Sequence, residues 1–193
     1  HPRVTPATCH RLAKAFREIV GPEGVITSPD ELRVYECDAL TTHHRAMPDL
    51  VVLPASTEQV AATVRRCVKD DVPIVPRGAG TGLAGGSLPV EGSICLNMAR
   101  MNRILEISTA DTLAVAEPGV VTYDLQKAVE KIGWMYPPDP ASLYQCTIGG
   151  NVATNAGGPR CLKYGVTGDY VLGLTVVLSD GRVLRTGGKV IED

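Results

Sequence analysis

The stretch PRGAGTGLAGGS, residues 76–87, decides how the rest of this sequence is interpreted. Five of the chain's 20 glycines lie within residues 78–86, so the backbone there carries almost no side-chain bulk. Such a stretch can turn successive N–H groups into one concavity that binds phosphate oxygens. A tight loop without any ligand is the alternative. Arg77, at the start of the stretch, either adds charge to a bound phosphate or is an ordinary surface residue.

The segment Gly80–Gly85 also matches G-x-G-x-x-G, which is typical of Rossmann dinucleotide sites. That fingerprint must open a helix whose N-terminus faces the diphosphate. Here residues 86–89 read GSLP, and a strand is predicted soon afterwards, so no helix fits. The sequence therefore predicts a phosphate-binding loop that is not of the Rossmann type. No Walker A motif is present, which excludes a P-loop.

A second glycine-rich segment, TIGGNVATNAGG, covers residues 147–158. Its small side chains would let a flat ring or a phosphate approach the backbone, so a second backbone-rich loop is predicted. Asn151 and Asn155 carry amides that both donate and accept hydrogen bonds. Asparagines that merely cap turns are the alternative. The loop PPDPAS, residues 137–142, lies just before it and is stiffened by proline.

Periodicity and turn signals predict an α+β fold. A helix over Ala7–Val20 and a β-α-β unit precede the first glycine-rich loop. In that unit, strands Leu50–Leu53 and Val72–Pro76 flank a helix that ends near Lys69 and opens with a capping box at Ser56–Gln59. The other predicted elements are a helical or turn segment at Pro29–Cys37, strands at Ser93–Asn97, Ile104–Ile107 and Thr112–Glu117, a helix at Thr122–Lys131, and a hairpin of Tyr170–Leu178 with Arg182–Thr186. In the hairpin, Asp180-Gly181 predicts a type I′ turn.

Composition excludes several classes of protein. The chain has 193 residues, 44% of them hydrophobic, which is enough for one domain or two small subdomains and too many for a disordered chain. Its formal net charge of −2 argues against a general nucleic-acid binder. No run of about 18 apolar residues occurs, so no transmembrane segment is predicted. The six cysteines form no C-x-x-C pair, which predicts free thiols and no metal site, with a structural disulfide as the alternative to free thiols.

The two glycine-rich segments occur with EPGV (residues 117–120), PPDPAS and CLKYG (residues 161–165). In this order and spacing the motifs resemble the FAD-binding domain of the vanillyl-alcohol oxidase flavoprotein family. Within it, the chain is most similar to the glycolate oxidase FAD-linked subunit and related D-2-hydroxy-acid dehydrogenases, including D-lactate dehydrogenases. The similarity is strong from about Pro48 to Lys189 and includes YECDAL, residues 35–40, upstream.

The resemblance implies a two-subdomain fold in which FAD lies extended. A small β-α-β subdomain accompanies a larger, mostly antiparallel sheet with helices. We therefore expect an N-terminal helical segment at residues 1–47 and the FAD-binding domain at residues 48–193. In relatives, the flavin domain continues with another glycine-rich segment and a substrate domain. We expect this domain to be incomplete at its C-terminus, and residues 1–193 alone to be inactive.

The resemblance also implies which residues contact FAD. The first loop would hold the diphosphate, and the other motifs would line the rest of the cofactor. The implied cofactor-binding residues are Pro76, Arg77, Gly78, Ala79, Gly80, Thr81, Gly82, Gly85, Gly86, Ser87, Pro118, Gly119, Pro138, Asp139, Ser142, Ile148, Gly149, Gly150, Asn151, Ala153, Asn155, Gly157, Gly158, Tyr164 and Gly165.

The flavin is expected to be bound non-covalently. Relatives that tether FAD often use a histidine near the first loop or a cysteine near the second. The first loop of this chain has no histidine, and the spacing from Cys146 to Gly149 does not fit a tether. His43, His44 and Arg45 form either a solvated loop or part of the lining near the flavin edge.

The implied function is that of a flavin-dependent 2-hydroxy-acid oxidoreductase of the glycolate or D-lactate type. In the complete enzyme, hydride would pass from C2 of the substrate to N5 of the flavin. The resemblance further implies flavin and Fe–S partner subunits and a cytoplasmic location, or one at the inner membrane through those partners. Two alternatives remain: a non-catalytic nucleotide-binding module, and a reductase that uses NADPH to reduce an enolpyruvyl sugar nucleotide. PPDPAS and CLKYG favour the hydroxy-acid branch.

Overall fold

The structure is a computed structural model that describes residues 6–40 and 45–188. It divides into two compact units. The first comprises the described residues up to Arg100 together with Val177–Val183, and the second comprises Met101–Val176 and the described residues from Leu184. The units do not divide at residue 47, because the N-terminal helix packs into the core of the first unit. His43 and His44 lie outside the described residues.

The predicted helices and strands are present in the predicted order, with shifts of a few residues at their ends. A short strand at Val25–Ile26 and helices at Ile148–Thr154 and Cys161–Tyr164 were not predicted. The first unit contains α1 (Pro6–Val20), β1 (Val25–Ile26), α2 (Pro29–Leu32), β2 (Leu50–Val52), α3 (Thr57–Lys69), β3 (Ile74–Arg77) and β4 (Ile94–Asn97). The second contains β5 (Ile104–Ser108), β6 (Leu113–Ala116), α4 (Thr122–Glu130), α5 (Ile148–Thr154) and α6 (Cys161–Tyr164). Finally, β7 (Gly173–Val177) pairs with β8 (Val183–Gly187).

The first unit is built on a four-stranded sheet in the order β1-β2-β4-β3. Strands β2 and β3 both run parallel to β4, and β1 is antiparallel to β2. The predicted β-α-β unit is therefore present, but β4 lies between its two strands. Cys95 of β4 pairs with Val51 on one side and with Val75 on the other. Because β3 and β4 are parallel, their carboxyl ends meet at one edge, where the first glycine-rich loop begins.

Helix α1 supplies much of the core of this unit. Leu12 and Phe16, one helical turn apart, are fully buried and pack in one cluster with Leu50 of β2 and Ile94 of β4. Burying a side chain of this size stabilises the fold by about 1.5–3 kcal/mol. The helix ends at Val20 because Gly21 adopts a positive φ of 83°. The N-terminal helix is thus an integral part of the first unit.

The predicted capping box at the start of α3 is confirmed in part. The Ser56 Oγ accepts a hydrogen bond from the Gln59 N–H at 3.3 Å, as predicted. The Gln59 side chain does not return to the N–H of Ser56. Its Oε1 accepts from the N–H of Ala55 at 2.7 Å, so the reciprocal bond is made one residue earlier.

The second unit contains short antiparallel sheets rather than one larger sheet. Among the described residues, the antiparallel pairs β5–β6 and β7–β8 are separate, because the chain between β6 and β7 forms helices and loops instead of further strands. Val120, Leu125 and Val129 form a buried cluster around α4 that packs on Ile104 of β5. The α+β class is confirmed.

The predicted type I′ turn at Asp180-Gly181 is wrong. That turn needs positive φ at both central residues. Of this pair, only Gly181 has a positive φ, 81°. Its N–H donates to the Leu178 carbonyl at 2.9 Å, and the Leu178 N–H donates to the Arg182 carbonyl at 2.8 Å. These bonds are typical of a three-residue loop whose last residue is a left-handed glycine.

All six cysteines are free thiols, as predicted, and Cys67, Cys95 and Cys146 are buried. Within the stretches of chain that the structure describes, every helix is too short or too polar to cross a membrane.

Candidate functional site

The first glycine-rich loop leaves the carboxyl end of β3. Residues 78–93, all of which are described, contain no helix, so the prediction of a loop that is not of the Rossmann type is confirmed. In the described part of the chain, none of the N–H groups of residues 78–87 donates to a backbone carbonyl. A Cβ added at Gly82 or Gly86 would meet no atom within 4 Å. The loop thus presents free N–H donors with open space beside them, which is what a diphosphate requires.

Arg77 lies inside the protein, so its interpretation as a surface residue is wrong. Only 8% of the residue is exposed. Its Nη1 donates to the carbonyl of Cys37 at 2.8 Å and to that of Ser87 at 3.5 Å. Its guanidinium carbon lies 5.7 Å from the centre of the Tyr35 ring. The Arg77 side chain therefore connects Cys37 with Ser87, at the far end of the loop. Its contacts among the described residues are all with other parts of the protein.

The segment Tyr35–Leu40 holds the same loop. The N–H of Ala39 donates to the Gly80 carbonyl at 3.0 Å, and the Ser87 hydroxyl donates to Asp38 Oδ2 at 3.3 Å. Asp38 and Ala39 were not among the predicted site residues. The only signal in the sequence was the resemblance of YECDAL to the same family.

The second set of predicted residues is brought together within the second unit. A Cβ added at Gly149 would lie 2.6 Å from Pro118 Cβ, and one at Gly158 would lie 1.8 Å from the Asp139 carbonyl oxygen. The Gly149 N–H also donates to the Pro118 carbonyl at 2.8 Å. The EPGV, PPDPAS and TIGGNVATNAGG segments therefore pack directly on one another. Close packing between segments of this chain is therefore enough to explain why residues 149 and 158 are glycines, without any ligand.

The second glycine-rich segment is not a loop throughout, because residues Ile148–Thr154 form α5. The helix begins where the Thr147 hydroxyl accepts from the Gly150 N–H at 3.3 Å. It ends at Asn155, which has left-handed backbone angles of φ 48° and ψ 54°. Glycine disfavours helix by about 1 kcal/mol relative to alanine, so packing on Pro118 overrides local propensity here.

Both predicted amide side chains are engaged within the protein. Asn151 is 3% exposed, and its Nδ2 donates to the Thr122 hydroxyl oxygen at 2.6 Å. The Asn155 Oδ1 accepts from the Gly168 N–H at 2.8 Å. The contact of either asparagine with a cofactor stays a prediction.

Two side chains of α4 that the sequence analysis missed organise this cluster. The buried Gln126 donates through Nε2 to the Pro138 carbonyl at 2.7 Å and to the Tyr136 carbonyl at 3.2 Å. One turn earlier, Thr122 accepts from Asn151. Polar residues four apart on the apolar face of a helix were the signal that could have identified them.

Other predicted residues make hydrogen bonds or ion pairs within the protein or are exposed. Tyr164 and Gly165 end α6, where the Tyr164 carbonyl accepts from the Tyr170 hydroxyl at 2.5 Å and Gly165 has φ 81°. Gly119 donates to the Met101 carbonyl at 2.7 Å. Asp139 forms an ion pair with Arg160 at 3.2 Å. Pro76, Ala79 and Ala153 are exposed.

A carboxylate fixes the EPGV turn. Glu117 is 7% exposed and accepts from the Arg103 backbone N–H at 2.8 Å and from its Nη2 at 2.7 Å. The Arg103 side chain lowers the pKa of the Glu117 carboxyl from its ordinary value of 4.5. Glu117 therefore stabilises the fold in its ionised form.

Glu117→Gln is expected to lower the melting temperature at neutral pH by about 2–4 °C, since Arg103 is largely exposed and the pair is screened by solvent. The stabilisation is complete above the unfolded value near 4.5 and is lost as pH falls through the lower folded pKa. Melting curves of both proteins between pH 7 and pH 3 test this. A difference that stays constant down to pH 3 would contradict it.

The comparisons with known proteins agree with this geometry. The sequence profile of the FAD binding domain family matches residues 48–187. The chain is 48% identical over 176 residues to glycolate oxidase subunit GlcD of Bacillus subtilis, covering 91% of this chain and 37% of that protein. It is 38% identical over 188 residues to D-lactate dehydrogenase of Anaerostipes hadrus, covering 97% of this chain and 38% of that protein.

The fold also matches a solved structure, p-cresol methylhydroxylase with substrate bound. The TM-score is 0.81 at 26% identity, over 95% of this chain and 36% of that one. The chain thus spans a little over a third of the length of the relatives that it matches. The matched profile contains both glycine-rich segments, and the first of them has the free N–H donors that a dinucleotide diphosphate needs. The chain belongs to the FAD-binding domain family, and its cofactor is FAD.

Proposed function

We propose that the full-length protein is an oxidoreductase that uses FAD to oxidise a small 2-hydroxy acid of the glycolate or D-lactate type. The observation that carries this proposal is the loop of free N–H donors at residues 78–87, in a chain whose relatives are named glycolate oxidase subunit and D-lactate dehydrogenase. When bound, the flavin supplies the acceptor for the hydride that leaves C2 of the hydroxy acid.

The residues of this chain would bind and orient the cofactor. The N–H groups of residues 78–87 would hold the diphosphate, and the open space at Gly82 and Gly86 would let it approach the backbone. In the second unit, Gln126 holds the PPDPAS loop and Thr122 holds α5 in place. Rigid support of this kind aligns a cofactor with its substrate.

Substrate-dependent reduction of a dye acceptor by the full-length protein tests the reaction. We expect turnover with glycolate or D-lactate, and much less with L-lactate. Flavin absorbance in a protein that reduces no dye with any hydroxy acid would favour a non-catalytic flavin-binding module. Dye-independent oxidation of NADPH with an enolpyruvyl sugar nucleotide would favour the reductase alternative. The predicted partner subunits and cellular location stay predictions.

We also propose that the FAD is held without a covalent bond. Cys146, the candidate tether, is 4% exposed, and its Sγ lies 3.4 Å from the Thr122 hydroxyl oxygen. We expect precipitation of the full-length protein with acid to release the flavin into the supernatant. Flavin that stays with the washed protein pellet would contradict the proposal.

A further inference from the structure

The most unusual charge in the first unit is the guanidinium of Arg77. It fills the space that a side chain at Gly80 would need, because a Cβ there would lie 2.2 Å from Nη2 and 2.6 Å from Cζ. Only 8% of Arg77 is exposed. A full positive charge is therefore buried directly against the backbone of the first glycine-rich loop.

This charge has no anionic partner in the described part of the chain. None of the ion pairs there includes Arg77, and its Nη1 donates to two neutral backbone carbonyls. The acids of the neighbouring segment are used elsewhere: Glu36 pairs with Arg45, and Asp38 accepts from Ser87 and from the Leu40 N–H. Buried charges are normally paired, because leaving water is costly for them.

We infer that Arg77 is a positioning residue that also attracts the diphosphate of FAD, with the anionic ligand compensating its buried charge across the loop. The inference rests on the proposed role of residues 78–87. Two features of Arg77 support the inference. Its guanidinium packs directly against Gly80. Its charge also lies beside N–H groups that, in the described residues, donate to no backbone carbonyl. A fixed positive charge beside a binding site raises the local concentration of anions.

Arg100 offers a matched control in the same unit. Its Nη1 also donates to two backbone carbonyls, of Val20 at 2.9 Å and of Leu53 at 3.0 Å. It also occupies the space beside a glycine, since a Cβ added at Gly24 would lie 2.6 Å from its Nη1. Arg100 differs in being exposed and in bonding no part of the first glycine-rich loop. A merely structural arginine should behave as Arg100 does.

The test is a titration of FAD into the apo form of the full-length protein at several salt concentrations, followed by flavin fluorescence. Arg77→Gln should raise the dissociation constant on the order of tenfold at low salt and should flatten its dependence on salt, because one charge is lost. Arg77→Lys should keep most of the salt dependence. Arg100→Gln should lower the melting temperature without FAD and leave both binding parameters unchanged.

Each outcome decides one point. An Arg77→Gln protein whose affinity and salt dependence equal those of Arg100→Gln would overturn the inference and leave the proposed function standing. A wild-type protein that binds no FAD would overturn the proposed function and the inference with it. If Arg77→Gln does not fold, Arg77→Lys decides, because loss of the salt dependence in this charge-conserving variant would contradict the inference.

Discussion

Gly80→Val is expected to raise the dissociation constant for FAD at least about a hundredfold, since several N–H contacts would be lost together. Gly80 has φ 72°, which a β-branched residue adopts only with strain. Its Cβ would also collide with the Arg77 guanidinium, which is buried and hydrogen-bonded and so cannot swing aside. The loop would have to move, and its row of donors would no longer converge on the diphosphate.

The measurement separates folding from binding. Circular dichroism without FAD reports the fold, and titration of FAD into each variant reports affinity, because bound ligand itself stabilises the native state. Gly133→Val is the matched control: Gly133 has φ 81° and a Cβ there meets no atom within 4 Å. It should suffer comparable backbone strain and keep its FAD affinity. If Gly80→Val binds normally while Arg77→Ala abolishes binding, side-chain charge alone recognises the cofactor and the assignment of the loop is wrong.

Gly149→Ala is expected to lower the free energy of unfolding by about 2–3 kcal/mol, because overpacking a close contact outweighs the gain in helix propensity. The new Cβ would lie 2.6 Å from Pro118 Cβ and 2.9 Å from the Pro118 carbonyl oxygen. The contact involves backbone and a proline ring, neither of which can rotate away. The EPGV turn and α5 would therefore separate.

The neighbouring glycine supplies the control for this prediction. A Cβ at Gly150 would be 3.2 Å from the Thr147 hydroxyl oxygen, a side-chain atom that can adjust by a few tenths of an ångström. Gly150→Ala should therefore change stability by less than about 1 kcal/mol, since propensity and packing nearly cancel. Urea unfolding of both variants, with the slope of the transition monitored, measures the difference. Equal stabilities would show that the contact with Pro118 is not tight in solution.

The sequence by itself determined most of the local elements and the class of the first loop. Apolar residues at helical spacing placed α1, and Gly21 marked its end, because backbone preference and side-chain periodicity act over a few residues. Residues 86–89 and the strand predicted soon after them left no room for a Rossmann helix. The combination of motifs also identified the family, which the profile match over residues 48–187 confirms.

Only the tertiary structure decided what each site residue does. Arg77 bonds Cys37, which lies 40 positions away along the chain, so its burial could not be inferred from its neighbours. Residues 148–154 form a helix despite two glycines because they pack on Pro118, and Gly158 is required by the Asp139 backbone. Glycines that admit a ligand and glycines that admit another segment of the chain look alike in a sequence. They differ only in what occupies the space beside them, and contacts distant in sequence determine that.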